Sequence, residues 1–219
     1  MGGAYIPDYP GADRFKGRQL PTKDYRTAEE FAGQHVIVVG GGISAIQLLD
    51  EVSRVTTTTW VTRRPPEFRP GPFTEDRGRA AVALVEDRVR GSLPPNSVVS
   101  VTGLPVTPAI EAMRALGVLE RLPMFSDILE DGVRWSHSTT VRADVILWCT
   151  GFLSSLDHLA PLMLREPGGI TMTGKLATQV AKDPRVHLVG YGPSASTIGA
   201  NRAGAAAVRE LMVFLGGKS

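Results

Sequence analysis

The run His35-Val-Ile-Val-Val-Gly40-Gly41-Gly42-Ile43-Ser44-Ala45 decides the fold class. Four of the five residues before Gly40 are β-branched, which suits a parallel strand covered on both faces. Gly40 allows a turn where a Cβ would clash, and Gly42 allows close approach of the backbone to a pyrophosphate. Ala45 stands where a small residue is needed for helix and strand to pack. From Ser44 to Arg54 the apolar residues Ala45, Ile46, Leu48, Leu49 and Val52 follow a helical period. Free N–H groups and the positive helix end would then face phosphates. Gly40, Gly41, Gly42, Ile43, Ser44 and Ala45 are therefore the candidate dinucleotide-binding turn, and the fold class is α/β, Rossmann-like, with a parallel sheet.

The second strand of this unit is predicted over Thr56–Thr62 and ends at Arg63-Arg64-Pro65-Pro66. In a dinucleotide fold an acid at this strand end holds the ribose 2′-hydroxyl of NAD, whereas arginine suits the 2′-phosphate of NADP. No acid stands here. Arg63 and Arg64 thus favour NADPH over NADH, because a guanidinium fork matches a phosphate. Asp50 and Glu51 lie within the helix after the glycine turn, out of reach of the ribose.

Further along, Glu75–Arg90 has helical spacing, and Thr107-Pro108 opens a short helix that Gly117 stops. Phe125–Trp135 reads as a hairpin around Asp131-Gly132, and residues 144–149 as a strongly apolar strand. Residues 1–31 are rich in Pro, Gly and charge and are expected to be an ordered lead-in without strand or helix. After residue 150 the character changes. A small β element is expected near Gly168–Gly174, a buried strand at Val186–Val189 ending at Gly190, and a Gly/Ala-rich helix from about Thr197 to Leu215.

The chain has 219 residues, 42% hydrophobic and 21% charged, with a formal net charge of +2. This suits a globular protein and gives no basic patch for nucleic acid. No apolar run reaches the ~20 residues that span a bilayer. The N-terminus lacks the pattern of a signal peptide, and the single cysteine, Cys149, sits in an apolar run, so a cytoplasmic location is expected. The four histidines show no metal-ligand spacing, and no nucleophile elbow or Tyr-x-x-x-Lys pair is present.

Four segments in order resemble the flavin-containing monooxygenases and their bacterial flavoprotein relatives. Tyr9-Pro-Gly11 through Asp24-Tyr25-Arg26 is similar to the stretch that precedes their NADPH domain. Gly40–Ala45 is similar to their NADPH-binding glycine motif, and Asp144–Phe152 to the segment that returns to the flavin domain. Leu188–Arg202 is similar to their closing segment near the flavin ring. The resemblance implies an NADPH- and FAD-dependent oxidoreductase that passes hydride to the flavin and oxygenates or reduces a small substrate. It implies an NADPH-binding domain over 32–149, preceded by an inter-domain segment (1–31) and followed by a remnant of a FAD-type α/β domain (150–219). Thr150, Gly151 and Gly192 become candidates for flavin-edge contacts; no catalytic residue is assigned.

Two departures bear on function. The relatives carry an earlier Gly-x-Gly-x-x-Gly turn for FAD, and this chain starts after the corresponding position, as a truncated form would. Pro21 replaces their motif histidine. The alternative expectation is a non-catalytic NADP-binding module or inactive fragment that needs a separate FAD-binding polypeptide. The exposed apolar face left on the last helix also suits self-association.

Overall fold

The computed structural model describes residues 3–71, 74–95, 103–167, 169–195 and 197–216, without the side chains of 197 and 198. In chain order the strands are β1 (Gly3–Ala4), β2 (Arg18–Pro21), β3 (Val36–Val39), β4 (Thr58–Thr62), β5 (Phe68–Arg69), β6 (Leu104–Pro105), β7 (Arg121–Pro123), β8 (Asp127–Leu129), β9 (Gly132–Arg134), β10 (Thr140–Arg142), β11 (Val145–Trp148), β12 (Phe152–Leu153), β13 (Met172–Thr173), β14 (Gln179–Val180) and β15 (Asp183–His187). The α-helices are α1 (Ile43–Ser53), α2 (Glu75–Arg90), α3 (Pro108–Ala115) and α4 (Thr197–Phe214). The chain divides into two compact units, one of residues 1–72 and 103–153, the other of residues 73–102 and 154–219.

The first unit is built on a parallel sheet of order β2-β11-β3-β4-β7. Every residue of β3 and β11 is buried, which is why both read as unbroken apolar runs. Helix α1 covers one face with Ala45, Ile46, Leu48, Leu49 and Val52. The opposite face is covered by the antiparallel sheet β8-β9-β10 and by the chain's beginning, around a cluster that includes Ile37, Val39, Val61, Phe125, Ile128, Trp135 and Trp148. Phe125 meets Trp135 and Trp148 edge-on, an arrangement suited to the ring quadrupoles. Each tryptophan also places its N–H: Trp60 on the Gly40 carbonyl (2.8 Å), Trp135 on the Pro123 carbonyl (2.8 Å) and Trp148 on Gln19 Oε1 (3.1 Å).

Several elements follow their local signals. Thr74 caps α2 by accepting the Arg77 backbone N–H, with Glu75 and Asp76 in the first turn and Arg88 and Arg90 in the last. Thr107 caps α3 in the same way, with Pro108 in the first turn, and Gly117 follows the helix with φ of 71°.

Three expectations are corrected. Residues 1–31 are not devoid of regular structure, since β2 pairs with β11 as an edge strand of the parallel sheet. Its sequence, Arg-Gln-Leu-Pro, has no β-branched residue, and only tertiary pairing makes it a strand. Helix α2, predicted inside a 32–149 domain, packs in the second unit against β13 and the turn at Gly192–Ser194. The strand before Gly190 is Asp183–His187 rather than Val186–Val189, and it is antiparallel.

The second unit holds the sheet β13-β14-β15, with a core of Val89, Leu164, Ile170, Met172, Val180, Leu188 and Tyr191. Helix α4 buries the small residues Ala203, Ala206 and Ala207 and contacts β15. It leaves Val208, Met212, Val213 and Phe214 exposed.

His35 sits where β3 begins. Its N–H donates to Asp144 Oδ2 at 2.7 Å, and its ring nitrogens lie 2.8 and 2.9 Å from the Thr57 and Thr59 hydroxyls. Burial lowers its pKa, and the Asp144 carboxylate only partly offsets that. The folded state therefore favours the neutral ring, while the unfolded chain takes up a proton below its usual value of about 6.5. Stability from this group is fully present above about pH 6.5 and is lost as pH falls towards the lowered folded value. Urea midpoints measured down this range should fall in the wild type, and His35→Gln should flatten that part of the profile.

Candidate functional site

The glycine turn lies at the C-terminal ends of β3, β4 and β11, where ligands bind in open parallel sheets. Gly40 is held from three sides. Its N–H donates to the Val61 carbonyl (2.9 Å), its carbonyl accepts the Trp60 indole N–H, and Cys149 N–H donates to the adjacent Val39 carbonyl (2.7 Å). With φ of 144°, a Cβ on Gly40 would lie 2.3 Å from the Cys149 carbonyl oxygen. Cys149 itself is buried, and burial pushes its thiol up to about 11, so it acts as a packing residue.

Gly42 is different. It starts α1 in extended backbone, φ −97°, and a Cβ there would meet nothing within 4 Å. No side chain caps the helix. The N–H groups of the first turn, at Ile43, Ser44 and Ala45, have no partner from within a helix, by geometry. Ile43 and Ser44 are exposed and Ala45 is fully buried against the sheet. Open space in front of uncapped amides is the form a pyrophosphate cradle takes, so these residues fit a dinucleotide.

The end of β4 meets this turn. A Cβ on Gly41 would contact Pro66 Cβ at 3.6 Å, Thr62 Cγ2 at 3.7 Å and the Arg64 carbonyl oxygen at 3.9 Å. The buried Thr62 hydroxyl donates to the Arg64 carbonyl at 2.8 Å, which bends the chain after the strand. Arg63 and Arg64 are both exposed, and among the described residues neither guanidinium pairs with a carboxylate.

A third guanidinium joins them that sequence reasoning missed. Arg121, on β7, donates from one nitrogen to the Thr62 carbonyl (3.1 Å) and hydroxyl (3.3 Å) and to the Leu122 carbonyl (3.3 Å). Nothing near Arg121 in the sequence signals this. The pairing of β7 with β4 alone brings it to the strand end.

The other predicted residues are placed differently. The Thr150 hydroxyl donates to the Tyr5 carbonyl, and the Gly151 carbonyl accepts the Tyr5 N–H at 3.1 Å, so both fasten β1 to β12. Gly151 is exposed, with φ of 86° and open space at its Cβ position. Gly192 belongs to the second unit and is buried; a Cβ there would lie 3.0 Å from Val89 Cγ1. The Gly190 N–H is taken by Ser194 Oγ at 2.9 Å. Gly192 is thus packed, while Gly190 is exposed with open space at its Cβ position.

Known proteins resemble this chain in sequence and in fold. The profile of the family described as flavin-binding monooxygenase-like matches residues 4–68. A double mutant of the flavin monooxygenase from Stenotrophomonas maltophilia superposes with a TM-score of 0.78 at 32% identity, over 97% of this chain and 60% of that one. Senecionine N-oxygenase from Tyria jacobaeae is 32% identical over 77 residues, 31% of this chain and 17% of that protein. Ferredoxin–NADP reductase from Paramagnetospirillum magneticum is 35% identical over 79 residues, 35% of this chain and 23% of that protein. The chain is similar to the flavin-binding monooxygenase-like proteins over residues 4–68, and it spans 60% of the length of that bacterial structure. No helix among the described residues is long and apolar enough to cross a membrane.

The two glycines should separate in experiment. Gly40→Ala forces a side chain into the Cys149 carbonyl and should cost at least about 3 kcal/mol in urea unfolding. Gly42→Ala fills open space at an ordinary φ and should change stability by less than about 0.5 kcal/mol. Its whole effect should appear as weaker nicotinamide-cofactor binding in calorimetry.

Proposed function

We propose that this chain holds NADPH for a flavoprotein oxidoreductase of the flavin-containing monooxygenase type, in which a small substrate is oxygenated or reduced. The residues 32–149 of the first unit would be the NADPH-binding part, and residues 150–219 part of a FAD-type domain. One observation carries the reading: an uncapped helix N-terminus opens beside a strand end that is followed by Arg63 and Arg64 and that receives the Arg121 guanidinium from β7. The relatives' names point the same way, one mentioning flavin and another NADP.

The roles of this chain's residues follow. Amides of Gly42, Ile43, Ser44 and Ala45 would take the pyrophosphate, with Gly41 and Gly42 keeping the approach clear. Arg63 and Arg64 would take the 2′-phosphate. Arg121 would add charge at the same place while bracing Thr62, so that the arginine-bearing turn keeps its shape. An NADH ribose offers these groups hydroxyls only, so it gains less from three cations. A flavin, when bound, supplies hydride acceptance and oxygen chemistry.

Titration calorimetry of the full chain with NADPH and NADH tests this. NADPH should bind more tightly, and Arg63→Ala should weaken it by about tenfold or more while leaving NADH nearly unchanged. Arg121→Ala should act in the same direction. Equal losses for both cofactors would remove the assignment of these arginines.

A further inference from the structure

Tyr9 is fixed by two constraints that have nothing to do with its own ring. Ile128 N–H donates to the Pro10 carbonyl at 2.8 Å. Gly11, with φ of 82°, runs so close to β8 that a Cβ would fall 2.0 Å from the Ile128 carbonyl oxygen. The chain is thereby clamped to the hairpin, and the Tyr9 ring lies edge-on to Phe125 at 5.1 Å and tilted against Trp148 at 6.0 Å. Val39, Val61 and Trp148 belong to the same cluster. These are the last or penultimate residues of β3, β4 and β11, so the ring packs at the end of the sheet where Gly40, Arg63 and Cys149 emerge.

The Tyr9 hydroxyl has no hydrogen-bond partner among the described residues. Burial raises its pKa, and the Arg63 charge lowers it by a smaller amount, so the proton stays on at neutral pH. A guanidinium has five donors and no acceptor, and the protonated phenol, packed on the cluster that holds Val61 two residues before Arg63, is another donor at that end of β4. Two neighbouring donors cannot satisfy each other. They are both satisfied by one acceptor with several lone pairs, and a phosphate is such a group.

We infer that the Tyr9 hydroxyl donates to the same phosphate that Arg63 binds, which makes Tyr9 a specificity-determining residue for a 2′-phosphorylated adenosine. The inference rests on the NADPH reading above and adds a neutral donor to its cationic set. Tyr9→Phe removes the oxygen and keeps the ring that packs on Phe125 and Trp148.

The test is calorimetry of the full chain with 2′,5′-ADP and with 5′-AMP, which differ only in the 2′-phosphate. Tyr9→Phe should weaken 2′,5′-ADP about tenfold and leave 5′-AMP unchanged. In an Arg63→Ala background the Tyr9→Phe effect should shrink, because the two groups share one phosphate. The near-ultraviolet circular dichroism of Tyr9→Phe should show an intact aromatic cluster. A Tyr9→Phe protein that binds 2′,5′-ADP as the wild type does, while Arg63→Ala loses it, overturns the Tyr9 inference alone. A wild type with no preference for 2′,5′-ADP over 5′-AMP overturns both this inference and the NADPH reading.

Discussion

The contact between Gly40 and the end of β11 is the constraint on which the first unit depends. Strands β3 and β11 run side by side in parallel, and where they end the Gly40 α-carbon lies against the Cys149 carbonyl with no room for a side chain. This closeness lets the chain turn at once into α1, so the helix starts uncapped at the sheet's edge. Trp60 and Val61 hold the turn from β4, which ties the first turn of α1 to the strand that precedes Arg63 and Arg64. A single close approach thus sets both the fold's geometry and the place of its charge.

The second face of the sheet is covered in a less common manner. Doubly wound sheets carry helices on both faces. Here α1 covers one, and a small antiparallel sheet with an aromatic cluster covers the other. The covering layer needs the chain's beginning, because Tyr9, Ala12 and Phe15 complete the cluster and β2 extends the sheet. The segment before the glycine turn is therefore part of the first unit, joined to it by hydrogen bonds and by ring packing.

Much of this was legible in the sequence because the signals are local. The β-branched run before Gly40, the Thr107-Pro108 start, the Asp131-Gly132 turn and the helical period over Glu75–Arg90 each act within a few residues. Arg63 and Arg64 were legible as the residues that follow the second strand, because Pro65-Pro66 ends it. What failed to show was every feature set by pairing across the chain. The residues of β2 have no strand preference of their own, Arg121 reaches Thr62 only through sheet order, and α2 joins a different unit from the strands that flank it in sequence. Gly190 read like Gly40 as the glycine that ends a strand, and Gly192 lies two residues on. The surroundings of Gly192 differ, since Val89 fills the space that at Gly42 stands open.

The sequence alone determined an α/β strand–glycine–helix turn, the arginines that follow its second strand, and the positions of the helices, since these follow from backbone sterics, capping and apolar period. Tertiary structure decided that the space at Gly42 is open while that at Gly192 is packed, that Arg121 reaches Thr62, and where the chain divides. Those outcomes depend on atoms far apart in the chain occupying or vacating the same few cubic ångströms, and no local pattern encodes that.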